Sequence, residues 1–428
     1  MKQLAILGGS RVAEFNWPVW PRTSTSLERE VLKTLRSGRW AVSGPYRGKQ
    51  SRETQFASSF ARYCGTNYGV PVCNGTHALV TALEALDVGP GDEVIVPGLT
   101  WVADATAVIN LGATPVLTDI DETLGLSPDA VQSSISGRTK AIIVANVYSS
   151  MPDWDALGAV ATQYGLPILE DSAQAHGAEW KGCRTGGLGD IAAFSFQQSK
   201  ILTSGEGGIA VTANGDLYDR MKRIRCDGRA YITPPLINQL EVDEHSVTPV
   251  MGTNYCMSEI QAAMLCAGLK TLDVEIDRRL HNMDLLTRGL RNVPGVTPVS
   301  VLPQVTRRPV AQYALRLDRD KFATVDLTTL CAALEAELGI SIDRSDAPLN
   351  SNPLYQPHTK RRFAYPGRTY EEIRPSRFDL PEADKEHSRL VLIKHPAFLA
   401  ESRLMQTIAD AFEKVQSLAH TLRRARDN

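Results

Sequence analysis

The chain has 428 residues, of which 43% are hydrophobic and 22% charged, with a formal net charge of −2. At ~150 residues per domain, this length predicts two or three folded units. The near-neutral balance excludes an electrostatic case for nucleic acid or an anionic membrane as partner. The basic runs Lys360-Arg361-Arg362 and Arg423-Arg424-Ala425-Arg426 read as solvated surface. The seven cysteines form no C-x-x-C pair and the eight histidines lack ligand spacing, so reduced thiols and no metal are expected. "MKQLAILGGS" is too short in apolar residues for a signal peptide, and no run approaches the ~20 that span a bilayer. The expected location is the cytoplasm, with no membrane partner.

Residues 1–50 form an irregular lead-in with one helix, "LEREVLKTLRSG". A capping box of Thr25 and Glu28 is expected to start it, and Gly38 to end it. Beyond residue 70, helical and strand-like segments alternate. "GTHALVTALEAL", "WVADATAVINLG" and "DWDALGAVATQYG" read as helices; "EVIVPG", "TPVLTDI", "KAIIVANVYS" and "LPILEDSA" read as strands. Short runs of Val, Ile and Leu between amphipathic helices indicate a mostly parallel sheet covered on both faces. "IAAFSF" and "GGIAVTA" are two further strands with no room for a crossover helix between them, and "DLYDRMKRIR" is helical. A helical stretch from about Ser258 to Asn292 leads from a first unit, residues 1–270, into a second, residues 271–428. That second unit has strands "QYALRLD" and "RLVLIKHP", the helix "LTTLCAALEAELG" and a terminal helix from Ser402. Residues 343–380 read as a long, ordered loop of the kind that often carries function.

In an open parallel α/β sheet, ligands gather at the carboxyl ends of the strands. After "GVPVC", Asn74-Gly75-Thr76 opens a helix, and small residues there leave N–H groups free for a phosphate. Gly-Thr is also an ordinary helix start. Trp101 is either a core anchor or a platform for a flat ring. Asp171, ending an apolar strand, needs a cationic partner. Ser195 and Lys200 follow "IAAF". A lone lysine in a turn is ordinarily surface, but an amine in a partly dry cleft loses its proton readily enough to attack a carbonyl. Phosphate cradle, ring platform, buried carboxylate and lysine, at successive strand ends, together meet the needs of pyridoxal 5′-phosphate (PLP). The lysine forms the Schiff base and the carboxylate keeps the pyridine nitrogen protonated.

The order "NGTHAL", "PGLTWVA", "EDSAQAHGA", "FSFQQSKILTSGEGG" and "GTNYCMSEIQAAML" resembles the DegT/DnrJ/EryC1/StrS aminotransferases over nearly the whole chain. The resemblance implies the α/β fold of the fold-type I PLP-dependent transferases, which is aspartate aminotransferase-like. In that fold a large domain with a mostly parallel seven-stranded sheet is followed by a smaller C-terminal α/β domain. It also implies that Lys200 carries PLP, that Thr76 and Ser195 contact the phosphate, and that Gly75 allows close backbone approach. By the same resemblance Trp101 stacks on the ring, Asp171 pairs with its nitrogen and Gln174 touches its 3-oxygen. Asn254 matches an asparagine that the family supplies to the phosphate of the neighbouring subunit, which implies a homodimer with shared active sites. The presence of Lys200 implies transamination rather than dehydration. The lysine is freed by the amino donor and then moves a proton, in ping-pong fashion through the pyridoxamine form.

Most relatives aminate nucleotide-linked keto-sugars and read "NxR" where this chain has Asn254-Tyr255-Cys256, and "HG" where it has Asp227-Gly228. "QQSKILTSGEGG", "RCDGRAY" and "SGRWAVSGPYRG" resemble instead the branch serving aminoglycoside antibiotic biosynthesis. That branch transfers the amino group of L-glutamine or L-glutamate to a cyclic ketone, a free keto-cyclitol such as scyllo-inosose or 2-deoxy-scyllo-inosose. An uncharged polyol needs hydrogen-bond partners rather than a diphosphate clamp. Arg229 and Tyr231 are candidates to line its pocket, or else to pack against a partner subunit. His77 either orients substrate or caps its helix. "NGTHAL" and "GEGG" also resemble 3-amino-5-hydroxybenzoate synthase, so that chemistry and nucleotide-sugar amination stand as alternatives. A PLP-binding transcription regulator would need a DNA-binding unit, and the first 50 residues offer one helix.

Overall fold

Four consecutive hydroxyl residues, Thr23 to Ser26, can each cap the first helix, and Ser24 takes the role. Its backbone is extended and its side chain accepts from Leu27 N, so Thr25 is the first helical residue rather than the cap. The expected Thr25–Glu28 capping box is therefore corrected: Ser24 is the cap, and the third helical position is the apolar Leu27, which cannot complete a box. Gly38 closes the helix with φ +67°, a left-handed conformation that glycine adopts without a Cβ penalty. The computed structural model describes residues 3–46, 48–232, 237–240, 242–243, 248–360 and 370–426. Arg361 and Arg362 of the first basic run, residues 361–369 of the long loop, and the side chains from Arg424 onward lie outside the described residues.

Helices α1 (Thr25–Ser37) and α2 (Arg52–Tyr63) lead into β1 (Tyr68–Val72). There follow α3 (Gly75–Ala85), β2 (Glu93–Pro97), α4 (Ala103–Asn110), β3 (Thr114–Thr118), α5 (Pro128–Ser134) and β4 (Thr139–Ala145). Next come α6 (Trp154–Tyr164), β5 (Ile168–Asp171), β6 (Glu179–Trp180), β7 (Cys183–Arg184), β8 (Ile191–Ser195), β9 (Gly208–Thr212) and α7 (Gly215–Ile224). One seven-stranded sheet has the order β1-β9-β8-β5-β4-β2-β3. The contacts from β8 through β5, β4 and β2 to β3 are parallel. Strand β9 runs antiparallel to both β8 and β1. A link without a crossover helix can only return antiparallel, and that link carries Lys200 past the carboxyl end of β8. Alternate residues bury on opposite faces. Val94 and Val96 pack in one cluster with Leu79, Leu83 and Val108, whereas Ile95, Ile142 and Val144 pack against Trp154 and Leu157. This two-sided burial is why the strands read as continuous apolar runs.

The stretch expected as one helix from Ser258 breaks at Lys270-Thr271 into α8 (Glu259–Leu269) and α9 (Leu272–Leu290). Helix α8 starts on a capping box of Ser258 and Gln261. Then come β10 (Val296–Pro298), β11 (Val305–Arg307), β12 (Gln312–Leu317), α10 (Leu327–Leu338), β13 (Ile342–Arg344), α11 (Pro381–His387), β14 (Leu390–Lys394) and α12 (Leu404–Arg426). A four-stranded sheet runs β10-β12-β14-β13, and β11 joins the β6–β7 hairpin. Tyr313, Phe398 and Phe412 centre the core between this second sheet and its helices. The lead-in docks there too: Leu4 is in the same core, and the buried Glu337 carboxyl accepts from Ala5 N at 2.8 Å and Lys414 Nζ at 2.8 Å. Among the described residues no helix is long and apolar enough to cross a membrane, and no cluster of His, Cys, Asp or Glu is arranged to hold a metal.

Candidate active site

The residues that follow β1, β2, β4, β5 and β8 converge on a cavity of about 870 Å³, within the size range of small-molecule sites. Lys200 lines it from the last position of a turn closed by Lys200 N donating to Gln197 O at 2.8 Å. Among the described residues its amine has no hydrogen bond or ion pair. Burial lowers its pKa below the usual lysine range, opposed by the Asp171 and Asp346 carboxylates. The neutral amine is therefore more accessible here than on an exposed lysine. Asp171 ends β5 facing the same space, and its Oδ1 accepts from Ala173 N at 2.9 Å. Burial raises its pKa, while the Ala173 N–H and the Lys200 cation favour its charged form.

Gly75 and Thr76 open α3 beneath Ser195, and all three line the cavity. A Cβ on Gly75 would lie 2.7 Å from Ser195 Cβ, so only glycine permits this approach. Asn74 caps the helix through His77 N at 2.9 Å. The Gly75 and Thr76 amides find no acceptor among the described residues, which leaves two aligned donors for an anion. Trp101 stands at the rim, 48% exposed. Gln174 also lines the cavity, and its Oε1 is buried with no partner among the described residues. These features fit PLP: a donor cradle for phosphate, a flat platform, a buried carboxylate for a ring nitrogen and an unengaged amine. Gly75→Ala is expected to weaken PLP binding about tenfold, from the roughly 1–3 kcal/mol cost of an extra methyl in packed surroundings. Titrating the apoenzyme with PLP checks it.

His77, Arg229, Tyr231 and Asn254 do not line this cavity. The His77 ring lies 3.0 Å from Asn74 Oδ1 and 4.3 Å from the Tyr255 ring, and burial lowers its pKa. Arg229 pairs with Asp227 at 2.9 Å. Tyr231 Oη accepts from Arg225 Nη2 at 2.8 Å. Asn254 is exposed and bridges Cys226 in antiparallel fashion. Arg225 is the hub of this region: it pairs with the buried Glu53 and also donates to Pro71 O. Burial pushes the Glu53 carboxyl up to about 7 against the pull of that guanidinium. Arg225→Ala is expected to cost about 3–5 kcal/mol, read from urea unfolding, because it strands a buried acid.

Several cavity residues come from distant segments. Asp346, in the long loop, lines the cavity and accepts from Tyr148 Oη at 2.8 Å. Tyr148 and Ser149 turn the chain after β4 with φ of +52° and +62°, a strain typical of functional sites. His395 follows β14. Arg279 can only donate, so His395 Nδ1 accepts from it at 3.1 Å and Nε2–H donates to Ser199 O at 3.1 Å. Trp20 packs edge-on against that imidazole, centroids 4.7 Å apart, and donates to Gln198 O. Two segments far from Lys200 in the sequence thus brace its turn. His176 holds β8 by donating Nε2–H to Ser195 O at 3.0 Å. Burial, then the Lys200 charge, lower its pKa to about 3, so it stays neutral.

The chain is similar to known proteins over nearly its whole length. The chain is 45% identical over 414 residues to the L-glutamine:2-deoxy-scyllo-inosose aminotransferase of Streptoalloteichus tenebrarius, covering 96% of this chain and 97% of that one. It is 43% identical over 414 residues to the L-glutamine:scyllo-inosose aminotransferase of Streptomyces griseus, with coverage of 96% and 97%. Its fold is similar to the crystal structure of 3-amino-5-hydroxybenzoic acid synthase, at TM-score 0.80 and 28% identity, covering 94% of this chain and 99% of that one. With a family model matching residues 22–373, the chain belongs to the DegT/DnrJ/EryC1/StrS aminotransferase family.

Proposed function

We propose that this aminotransferase uses PLP to move the amino group of L-glutamine, or L-glutamate, to a free keto-cyclitol such as scyllo-inosose or 2-deoxy-scyllo-inosose, in aminoglycoside antibiotic biosynthesis. The observation that carries the reading is identity of 45% and 43%, over nearly the whole chain, to enzymes of that specificity. Likeness to 3-amino-5-hydroxybenzoic acid synthase is lower, at 28%. That ranks amination with aromatisation below cyclitol amination.

Bound PLP supplies an aldehyde that captures amines and a ring that accepts electrons. The Gly75 and Thr76 amides and the Ser195 hydroxyl would hold its phosphate, and Trp101 would stack on the ring. Asp171 would keep the proton on the ring nitrogen, and Gln174 would reach the 3-oxygen. Lys200 would hold the cofactor through its amine. With its lowered pKa, that amine, once free, would take the proton from the donor Cα and hold it for return to the product. The same steps in reverse serve the ketone. We infer further that the chain acts as a homodimer with Asn254 reaching the neighbouring site, and that it works in the cytoplasm. The exposure of Asn254 and of Trp101 at the cavity rim supports the dimer.

A competition experiment tests the acceptor. With L-glutamine as donor and equal amounts of 2-deoxy-scyllo-inosose and a nucleotide-linked keto-sugar, mass spectrometry should find the aminocyclitol as the main product. A main product carrying a nucleotide would overturn the substrate assignment and leave the fold and lysine untouched.

A further inference from the structure

Asp104 has no role in the mechanism above, yet it is a carboxyl in the first turn of a helix whose other inward residues are Ala, Val and Ile. Its residue is fully buried. Oδ2 accepts from Thr100 Oγ1 at 2.7 Å. Oδ1 has no donor among the described residues, and the carboxyl lies within hydrogen-bonding reach of Asp171. Two carboxylates in contact in a dry site do not both ionise, and one proton is shared between them. The surroundings decide which acid holds it. Asp171 has the Ala173 N–H and the Lys200 cation to stabilise a negative charge. Among the described residues, the groups acting on Asp104 are the Thr100 hydroxyl and Asp171 itself, and none is a cation.

We propose that Asp104 is a neutral carboxylic acid that donates its O–H to Asp171, fixing that side chain and leaving the negative charge on it. Asp104 is a positioning residue, acting through Asp171. Burial, with repulsion from Asp171 added, holds the Asp104 carboxyl well above the carboxylate range, in line with this placement. The consequence for the cofactor rests on the reading of Asp171 as partner of the ring nitrogen; the location of the proton does not.

The test uses the apoenzyme, parent and Asp104→Asn, unfolded in urea at several values between about pH 5 and 8. Asn keeps the acceptor for Thr100 and a donor for Asp171 but carries no titratable proton. In the parent, folded Asp104 stays protonated while the unfolded residue ionises. Stability therefore falls as pH rises, and the parent's unfolding constant should grow about tenfold per pH unit relative to D104N. Glu53 and Glu170, pushed to about 7 by burial, titrate in both proteins and cancel in the ratio. A ratio flat with pH would mean that Asp104 is ionised in the folded chain and would overturn the proposal. The infrared spectrum of the neutral apoenzyme gives a second readout: a carboxylic-acid C=O band present in the parent and lost in D104N. Identical spectra would contradict it. For the positioning role, D104N should keep the parent's PLP affinity, whereas Asp104→Leu, without a donor, should weaken it at least about tenfold. Equal affinities for the two variants would refute that role. None of these readouts depends on the acceptor, so failure of the cyclitol assignment would leave them unchanged.

Discussion

Lys200→Ala is expected to lower amino transfer about 10⁴-fold, because in the proposed mechanism one side chain would both hold the cofactor and move the proton. The variant should still bind PLP through the phosphate cradle, since Gly75 and Thr76 follow β1 and Ser195 lies on β8 itself, ahead of the Lys200 turn. Borohydride reduction of the parent should fix the cofactor on Lys200, seen as a mass increment on the peptide that contains it, and K200A should take no such label. The turn should survive the change, because Lys200 contributes to it through its backbone N–H, and His395 and Trp20 hold the neighbouring carbonyls of Ser199 and Gln198. Normal turnover by a folded K200A would exclude the assignment.

Asp171→Asn is expected to reduce kcat/KM by roughly 10²–10³-fold, the range seen when one preorganised electrostatic group is removed from an active site. Asn retains the shape and an oxygen to accept from Ala173 N. The fold is therefore preserved and the loss is electrostatic, since a neutral amide does not hold the proton on a pyridine nitrogen. The far-ultraviolet spectrum should stay close to the parent while the half-reaction rates fall. A D171N enzyme within about threefold of the parent would remove Asp171 from the catalytic role, because even one lost hydrogen bond to a charged group exceeds that effect.

Much of this site is written locally. The strands that place it are buried on both faces and so stand out as apolar runs, and Gly75, Thr76, Trp101, Asp171, Ser195 and Lys200 all follow such runs within a few residues. What the sequence hid depends on long-range packing. Asp346, His395 and Trp20 reach the cavity from the long loop, the last strand and the lead-in, and no spacing ties them to Lys200. Asp104 did carry a signal, a lone acid in "WVADATAVIN", but it takes meaning only from the neighbouring Asp171. Arg229 and Tyr231 sit near the expected region in sequence, yet their partners are Asp227 and the buried Arg225. The start of α1 was ambiguous because adjacent hydroxyls offer equal local caps. The break between α8 and α9 has neither Gly nor Pro at Lys270-Thr271 to announce it.

The most direct measurement is a single half-reaction. The holoenzyme is converted to its amino form with L-glutamine, the donor is removed, and ketones are added one at a time while the absorbance of the aldehyde form is followed. Return of that absorbance with scyllo-inosose or 2-deoxy-scyllo-inosose, and not with a nucleotide-linked keto-sugar, is the result expected of a free-cyclitol aminotransferase. Return only with the nucleotide-linked ketone would contradict it.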